Sequence, residues 1–252
     1  MNKRIIPCLD IRDGRVVKGK KFKDIQDVAD PIQLAERYEQ DQADELFILD
    51  ITGKDQKQFL TIIENISSTL SIPLAVGGGI RTVEDVAAVL AAGANKVSIT
   101  SAAIQNPNLL QSAVEKFGSE KIVLSIDAKK VAAEKWNAFT GGGRNDSGLD
   151  VIEWAKQGES LGVGEILLNN MDTDGVKEGY DILLNKAVAE AVNIPIIASG
   201  GAGTMENFKT VLTEGLANAA LAASVFHYEE LTITNLKKYL RNFDVPVKEM
   251  SI

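Results

Sequence analysis

The chain has 252 residues, 45% of them hydrophobic and 25% charged, an ordinary mix for a folded globular protein, and a chain this long can bury a large core. Its 27 Lys and Arg against 35 Asp and Glu leave a net charge of −8, which disfavours non-specific nucleic-acid binding but allows local phosphate sites at glycine turns and helix N-termini. One histidine, His227, and one cysteine, Cys8, exclude a multi-histidine metal site and an intramolecular disulfide. Acid/base chemistry then falls to carboxylates, lysines or the thiol, with no metal and no nucleotide cofactor expected. No apolar run approaches the roughly 18 residues of a membrane span, and no signal peptide is evident, so a cytoplasmic location is expected.

Eight short apolar runs read as strands buried on both faces. In chain order they are Ile5–Leu9, Leu46–Leu49, Leu74–Val76, Lys96–Ile99, Ile122–Ile126, Ile166–Leu168, Ile196–Ala198 and Ala219–Ala222. Helical patterns separate them. Asp30-Pro31 supplies a cap and a first-turn proline before Ile32–Gln40. Thr82 opens a helix that stops at Gly93, Pro107 one that stops at Gly118, and Thr204 one that ends near Gly215. Strict alternation of strand and helix predicts parallel strands joined by right-handed crossovers.

The spacing repeats. Glu45 recurs as Glu165, 120 residues on; Gly78 as Gly200, 122 on; and Asp10 as Asp127, 117 on. Thr82 and Thr204 each follow their glycine turn at the same distance. The reading is an α/β fold: one TIM barrel, (βα)8, over 1–252, made of two (βα)4 half-barrels at about 1–120 and 121–252. An open doubly wound sheet would not need the repeat.

In such barrels the active site lies at the C-terminal ends of the strands. Asp10 ends the first strand and Asp127 the fifth, on opposite sides of the mouth. They stand too far apart to share one proton and can flank a substrate as acid and base. Asp50 is a weaker candidate at the end of the second strand. Gly77-Gly78-Gly79 and Ser199-Gly200-Gly201 each open a helix, so their freed N–H groups suit phosphate. Thr100-Ser101 and Ala223-Ser224 end the neighbouring strands. A ligand with a phosphate at each end, stretched between the two aspartates, fits this plan. The segment after the first strand carries Arg12, Arg15, Lys18, Lys20, Lys21 and Lys23 and reads as a basic lid, or else as a solvated charge run. The matching segment after the fifth strand holds Gly141-Gly142-Gly143-Arg144 and reads as flexible. Arg4, Glu45, Lys96 and Glu165 each directly precede an apolar strand run. They ring the opposite mouth, as a salt-bridge plug or as a gate to the barrel axis. His227, Trp136 and Trp154 read as packing residues.

The stretches Arg4–Asp10, Asp13–Gly19, Leu49–Thr52, Val76–Ile80, Ile126–Lys129, Gly164–Leu168, Ala198–Gly203 and Ala219–His227 closely resemble the cyclase subunit of imidazole glycerol phosphate synthase, and the likeness spans essentially the whole chain. The resemblance implies an ammonia-dependent lyase of histidine biosynthesis. It would convert a bisphosphorylated ribulosyl-formimino-aminoimidazole carboxamide ribonucleotide to imidazole glycerol phosphate and aminoimidazole carboxamide ribonucleotide. It implies Asp10 and Asp127 as acid/base residues and Lys18 as the loop lysine. It implies phosphate contacts around Gly79, Ser101, Asp174, Gly175, Gly201 and Ser224. It also implies a gate of Arg4, Glu45, Lys96 and Glu165, where ammonia enters from a docked glutaminase subunit. The chain departs from the family pattern at Asn95, where Asp is usual; at Thr100, where Asn is usual; at Asn169-Asn170, where small hydroxyl residues are usual; and at Lys20-Lys21. The rival readings are the isomerase one step earlier, a non-catalytic barrel serving a glutaminase, and a Schiff-base lyase using Lys18, Lys129 or Lys130.

Overall fold

The computed structural model describes residues 2–20 and 23–249. The chain runs β1 (Arg4–Arg12), β2 (Arg15–Lys20), β3 (Lys23–Ala29), α1 (Pro31–Gln40), β4 (Leu46–Asp50), α2 (Gln56–Thr69), β5 (Leu74–Gly77), α3 (Val83–Ala91), β6 (Lys96–Ile99), α4 (Ser101–Gln105) and α5 (Asn108–Phe117). It continues β7 (Ile122–Ala132), β8 (Lys135–Thr140), β9 (Asn145–Asp150), α6 (Val151–Ser160), β10 (Glu165–Asn170), α7 (Ile182–Ala191), β11 (Ile196–Ser199), α8 (Met205–Thr213), β12 (Ala219–Ala222), α9 (Ser224–His227) and α10 (Ile233–Arg241).

Among the described residues eight strands pair in parallel and close on themselves. The order is β1-β4-β5-β6-β7-β10-β11-β12, with β12 returning to β1 through Ile5 opposite Ala220. Side chains alternate across each strand. One set, with Ile5, Leu9, Ile48 and Leu124, packs outward against the helices. The other fills the barrel with Ile6, Cys8, Phe47, Ala75, Val123, Leu167, Ile197, Ala219 and Leu221. Burial on both faces is why these runs read as continuously apolar rather than alternating.

Helix starts follow the local chemistry. The Asp30 carboxylate accepts from the N–H groups of Ile32 and Gln33, and Asp150 does the same for Ile152 and Glu153. Thr82 and Thr204 each form a reciprocal capping box, with Asp85 and with Asn207.

Two segments differ from expectation. β1 and β7 run on past Asp10 and Asp127 and fold back as antiparallel extensions, β2–β3 and β8–β9. These extensions mix polar residues with the buried Val16, Val17, Trp136, Ala138 and Phe139, so they carry no continuous apolar run. The Asp13-Gly14 pair, both at positive φ between Arg12 and Arg15, is the hairpin signature that betrays the first. The glycines 141–143 form the turn between β8 and β9, and the N–H of Gly141 donates to Ser101 Oγ at 3.0 Å, so that turn is anchored to the barrel rather than loose. The basic residues Lys18, Lys20 and Lys23 sit on these strands; their side chains, and Lys21 altogether, lie outside the described residues.

Because the two boxes are equivalent, Thr82→Ala and Thr204→Ala should each cost about 1 kcal/mol in urea unfolding, and the double variant should cost their sum.

Candidate functional site

Each strand sends every second side chain inward, so the barrel interior is a set of columns. On β1 the column is Arg4, Ile6, Cys8, Asp10; on β10 it is Glu165, Leu167, Asn169; on β7 it ends Val123, Ser125, Asp127. The lower charges and the upper carboxylates are therefore opposite ends of the same columns.

At the lower end Arg4 pairs with both Glu45 and Glu165, and Lys96 lies 3.1 Å from Glu45 and 2.8 Å from Glu165. Burial works against the Arg4 charge, but Glu165 and Glu45 outweigh it and hold the guanidinium firmly protonated. The four residues expected to ring the lower mouth do meet there, as a closed ring of alternating charge.

At the upper end one cavity of about 770 Å³ opens, within the range of small-molecule sites. Among its walls are Asp10, Asp50, Gly78, Gly79, Thr100, Ser101, Asp127, Asn169, Asp174, Gly175, Ser199, Gly200, Gly201 and Ser224. The other site residues expected at this rim are brought together; Lys18 lies on β2 with its backbone opposite Gln26, and its side chain lies outside the described residues.

The glycine turns owe their form to crowding. Gly78 has φ +90°, and a Cβ there would stand 2.0 Å from the Asp50 carbonyl oxygen; Gly200 has φ +89°, and its Cβ would stand 2.4 Å from the Asn170 oxygen. The two halves repeat not only the glycine but the clash that requires it.

The carboxylates differ in use. Asp50 Oδ1 accepts from Thr52 N, Thr52 Oγ1 and Gly53 N at 2.8 to 2.9 Å, so Asp50 shapes the turn after β4. Cys8 Sγ lies 3.8 Å from Asp10 Oδ1. Asp127 is half-buried and lines the cavity. Burial by the protein around it, against a hydrogen bond from Asn169 Nδ2 at 3.1 Å and with the negative charge of Asp174 adding to burial, pushes its carboxyl up to about 6. It holds a proton more readily than an ordinary carboxylate near neutral pH, as a general acid requires.

Arg81 and Arg144 also line the cavity, cationic contributions that sequence reasoning assigned no role. Adjacency of Arg81 to the Gly77–Gly79 turn was the available signal. Asn95, the departure near the lower ring, uses its Oδ1 to accept from Leu74 N at 2.8 Å, as Asn218 Oδ1 does from Ile196 N in the second half. Only an acceptor is needed there, which the amide supplies. Thr100 precedes α4 without a side-chain cap bond and faces the cavity. His227 is buried against Tyr38, whose hydroxyl meets Nδ1 at 2.5 Å, and Trp136 Nε1 donates to Asp181 Oδ2 at 3.0 Å.

A closed (βα)8 barrel with opposed carboxylates and paired glycine turns at its C-terminal rim defines the class: a barrel enzyme with a small-molecule site at that rim. Residues 4–232 match the family described as histidine biosynthesis protein. The chain is also 57% identical, over 251 residues covering 99% of it and 98% of the relative, to imidazole glycerol phosphate synthase subunit HisF of Oceanobacillus iheyensis (strain DSM 14371 / CIP 107618 / JCM 11309 / KCTC 3954 / HTE831). The chain belongs to the histidine biosynthesis protein family.

The Asp127 environment has a stability consequence with a definite sign. Its folded carboxyl titrates at about 6, above the roughly 4 of an unfolded aspartate, so between these pH values the folded state retains a proton the unfolded chain has released. Stability therefore falls as pH rises through that window. Asp127→Asn should be more stable than the parent by about 2 kcal/mol in urea unfolding at pH 7.5, and the difference should fade as pH approaches 4.

Proposed function

We propose that the chain is the cyclase subunit of an imidazole glycerol phosphate synthase, a lyase that uses ammonia to convert the phosphoribulosyl-formimino-aminoimidazole carboxamide ribonucleotide to imidazole glycerol phosphate and aminoimidazole carboxamide ribonucleotide. The observation that carries this reading is one continuous barrel interior with a charge ring at its floor and two opposed carboxylates at its mouth. The family membership and the near-full-length likeness to a HisF subunit support it.

In this reading the substrate lies across the mouth. The glycine turns at Gly78-Gly79 and Gly200-Gly201, with Ser101, Gly175 and Ser224, bind its two phosphates through backbone N–H groups and hydroxyls. Lys18 contributes from the first extension. Asp127, whose proton affinity burial raises above that of an ordinary carboxylate, donates a proton to the breaking side of the intermediate; Asp10 removes a proton from the opposite side. Their separation keeps the two transfers on different atoms. Ammonia reaches the ligand from below, past Arg4, Glu45, Lys96 and Glu165, after release by a glutaminase subunit docked on the N-terminal face. The one-domain, two-half organisation over 1–252 and the cytoplasmic location belong to the same proposal. No helix among the described residues is long and apolar enough to cross a membrane.

The test is steady-state turnover of the purified chain with the formimino ribonucleotide and ammonium salt at alkaline pH, following imidazole glycerol phosphate. Asp10→Asn and Asp127→Asn should each lower kcat at least about a hundredfold, the low end of what a positioned acid or base contributes. Ligand binding without turnover in the intact chain would instead mark a non-catalytic barrel.

The floor gives a separate expectation. Arg4→Ala leaves Glu45 and Glu165 sharing Lys96 alone. In complex with the glutaminase it should lower glutamine-driven turnover while ammonium-driven turnover persists. Equal loss of both activities would show that the ring serves the fold rather than passage.

A further inference from the structure

The two half-barrels place their carboxylates alike but surround them differently. Asp10 on β1 stands in register with Leu49 on β4, which stands in register with Gly77 on β5. The equivalent layer in the second half is Asp127 on β7, Asn169 on β10 and Ser199 on β11. Where the first half has an apolar side chain and then none, the second has an amide and then a hydroxyl.

Those three polar side chains are connected. Ser199 Oγ donates to Asn169 Oδ1 at 3.0 Å, and Asn169 Nδ2 donates to Asp127 Oδ1 at 3.1 Å. Ser199 is buried and Asn169 half-buried. The carboxylate fixes which end of the amide faces it, because an amide turned the other way would set its oxygen against Asp127; the Ser199 hydroxyl then donates to the amide oxygen and holds that orientation in place. With Oδ1 of Asp127 engaged, Oδ2 is the oxygen left for a proton.

We propose that Asn169 is a positioning residue for Asp127: through the Ser199–Asn169–Asp127 relay it orients the carboxyl group and holds its Oδ1, where the first-half layer offers only Leu49 and Gly77. The inference rests on the functional reading above only for what that proton does; the relay itself is a property of the fold. It assigns Asn169 to a catalytic group rather than to the substrate.

The charged surroundings are limited. Asp174, from the segment between β10 and α7, adds a negative charge that opposes ionisation. Asp10 faces from four strands away across the cavity. On β8 the residue opposite Asp127 is the apolar Phe139, over whose ring Lys129 Nζ lies at 5.6 Å. On β6 the neighbours Ser98 and Thr100 are uncharged. The amide of Asn169 is thus the neighbouring side chain that favours the charged form, and its removal has a predictable direction.

The experiment is a carbon-13 NMR titration of the aspartate carboxyls in the full chain, with Asp127→Asn identifying the Asp127 signal. It is paired with the pH profile of ammonium-driven turnover. Asn169→Leu, which copies the first half, should raise the Asp127 titration by about one pH unit, the size expected for one lost hydrogen bond to a carboxylate. The limb of the kinetic profile governed by Asp127 should move up by the same amount. Ser199→Ala, a smaller change that disturbs the relay without touching Asp127, should move both in the same direction by less. It keeps the question open to a negative answer if Asn169→Leu fails to fold. An Asp127 signal that titrates at the same pH in the parent and in both variants overturns the proposal. So does a raised KM with an unmoved profile, which would make Asn169 a substrate ligand. A parent chain that shows the Asp127 shift on substitution but no turnover would retain the relay and remove the cyclase reading instead.

Discussion

Closure of the parallel ladder is the constraint from which the rest follows. Once β12 pairs with β1 and β7 with β10, no edge strand remains in the barrel, and all eight strands present their C-terminal ends on one rim. Alternation then fixes which side chains enter the interior. Arg4 and Asp10 are six residues apart on one strand, so they stand about 20 Å apart along the same column at a rise of about 3.3 Å per residue. The floor and the mouth cannot be altered independently of the strand register, since a slip of one residue would turn both outward.

The charge ring has an energetic logic of its own. The Glu45 and Glu165 side chains are only 3% and 7% exposed, against 24% and 21% for Arg4 and Lys96, so the carboxylates are dry and the cations lean toward solvent. Burying two carboxylates costs several kcal/mol each after relaxation, and paired cations do little more than offset that cost. An apolar plug would seal the barrel at least as stably. Stability alone therefore does not account for charge at the floor, where the carboxylates are the drier members and the cations the more solvated.

Much of this was legible in the sequence because it depends on local signals that repeat. Apolar runs marked the strands, Thr82 and Thr204 marked helix starts, and the recurrence of Asp10 as Asp127 and Gly78 as Gly200 gave the two halves their register. The glycines were legible as turns, though not the reason they must be glycine: the carbonyls of Asp50 and Asn170 that crowd them belong to the neighbouring strand. The hairpins beyond β1 and β7 were illegible as strands because their buried residues, among them Val16, Val17, Trp136, Ala138 and Phe139, are interleaved with polar ones and form no long apolar run; Asp13-Gly14 carried the turn signal. Asp50 was legible as a further acid at a strand end, but its hydrogen bonds from Thr52 and Gly53, which shape the turn after β4, need coordinates to see.

Duplication also explains why the site needs departures from its own symmetry. In the proposed mechanism one aspartate gives a proton and the other takes one, and two identical halves would place both in identical settings, with nothing to assign them different parts. The chain keeps symmetry where geometry is at stake: Gly78 with Gly200, Glu45 with Glu165, Asn95 with Asn218. It abandons symmetry in the layer that touches the carboxylates, where Leu49 and Gly77 face Asn169 and Ser199 as counterparts. Burial raises the proton affinity of Asp127 and the Asn169 amide restrains it, so the carboxyl is held near 6 rather than driven further up. In the proposed mechanism, a desolvated acid without that restraint would hold its proton too tightly to return it within a catalytic cycle, and one left in open solvent would have lost it before the substrate arrived. Two opposing local effects thus act on the Asp127 carboxyl, on a scaffold whose repeat by itself distinguishes neither aspartate.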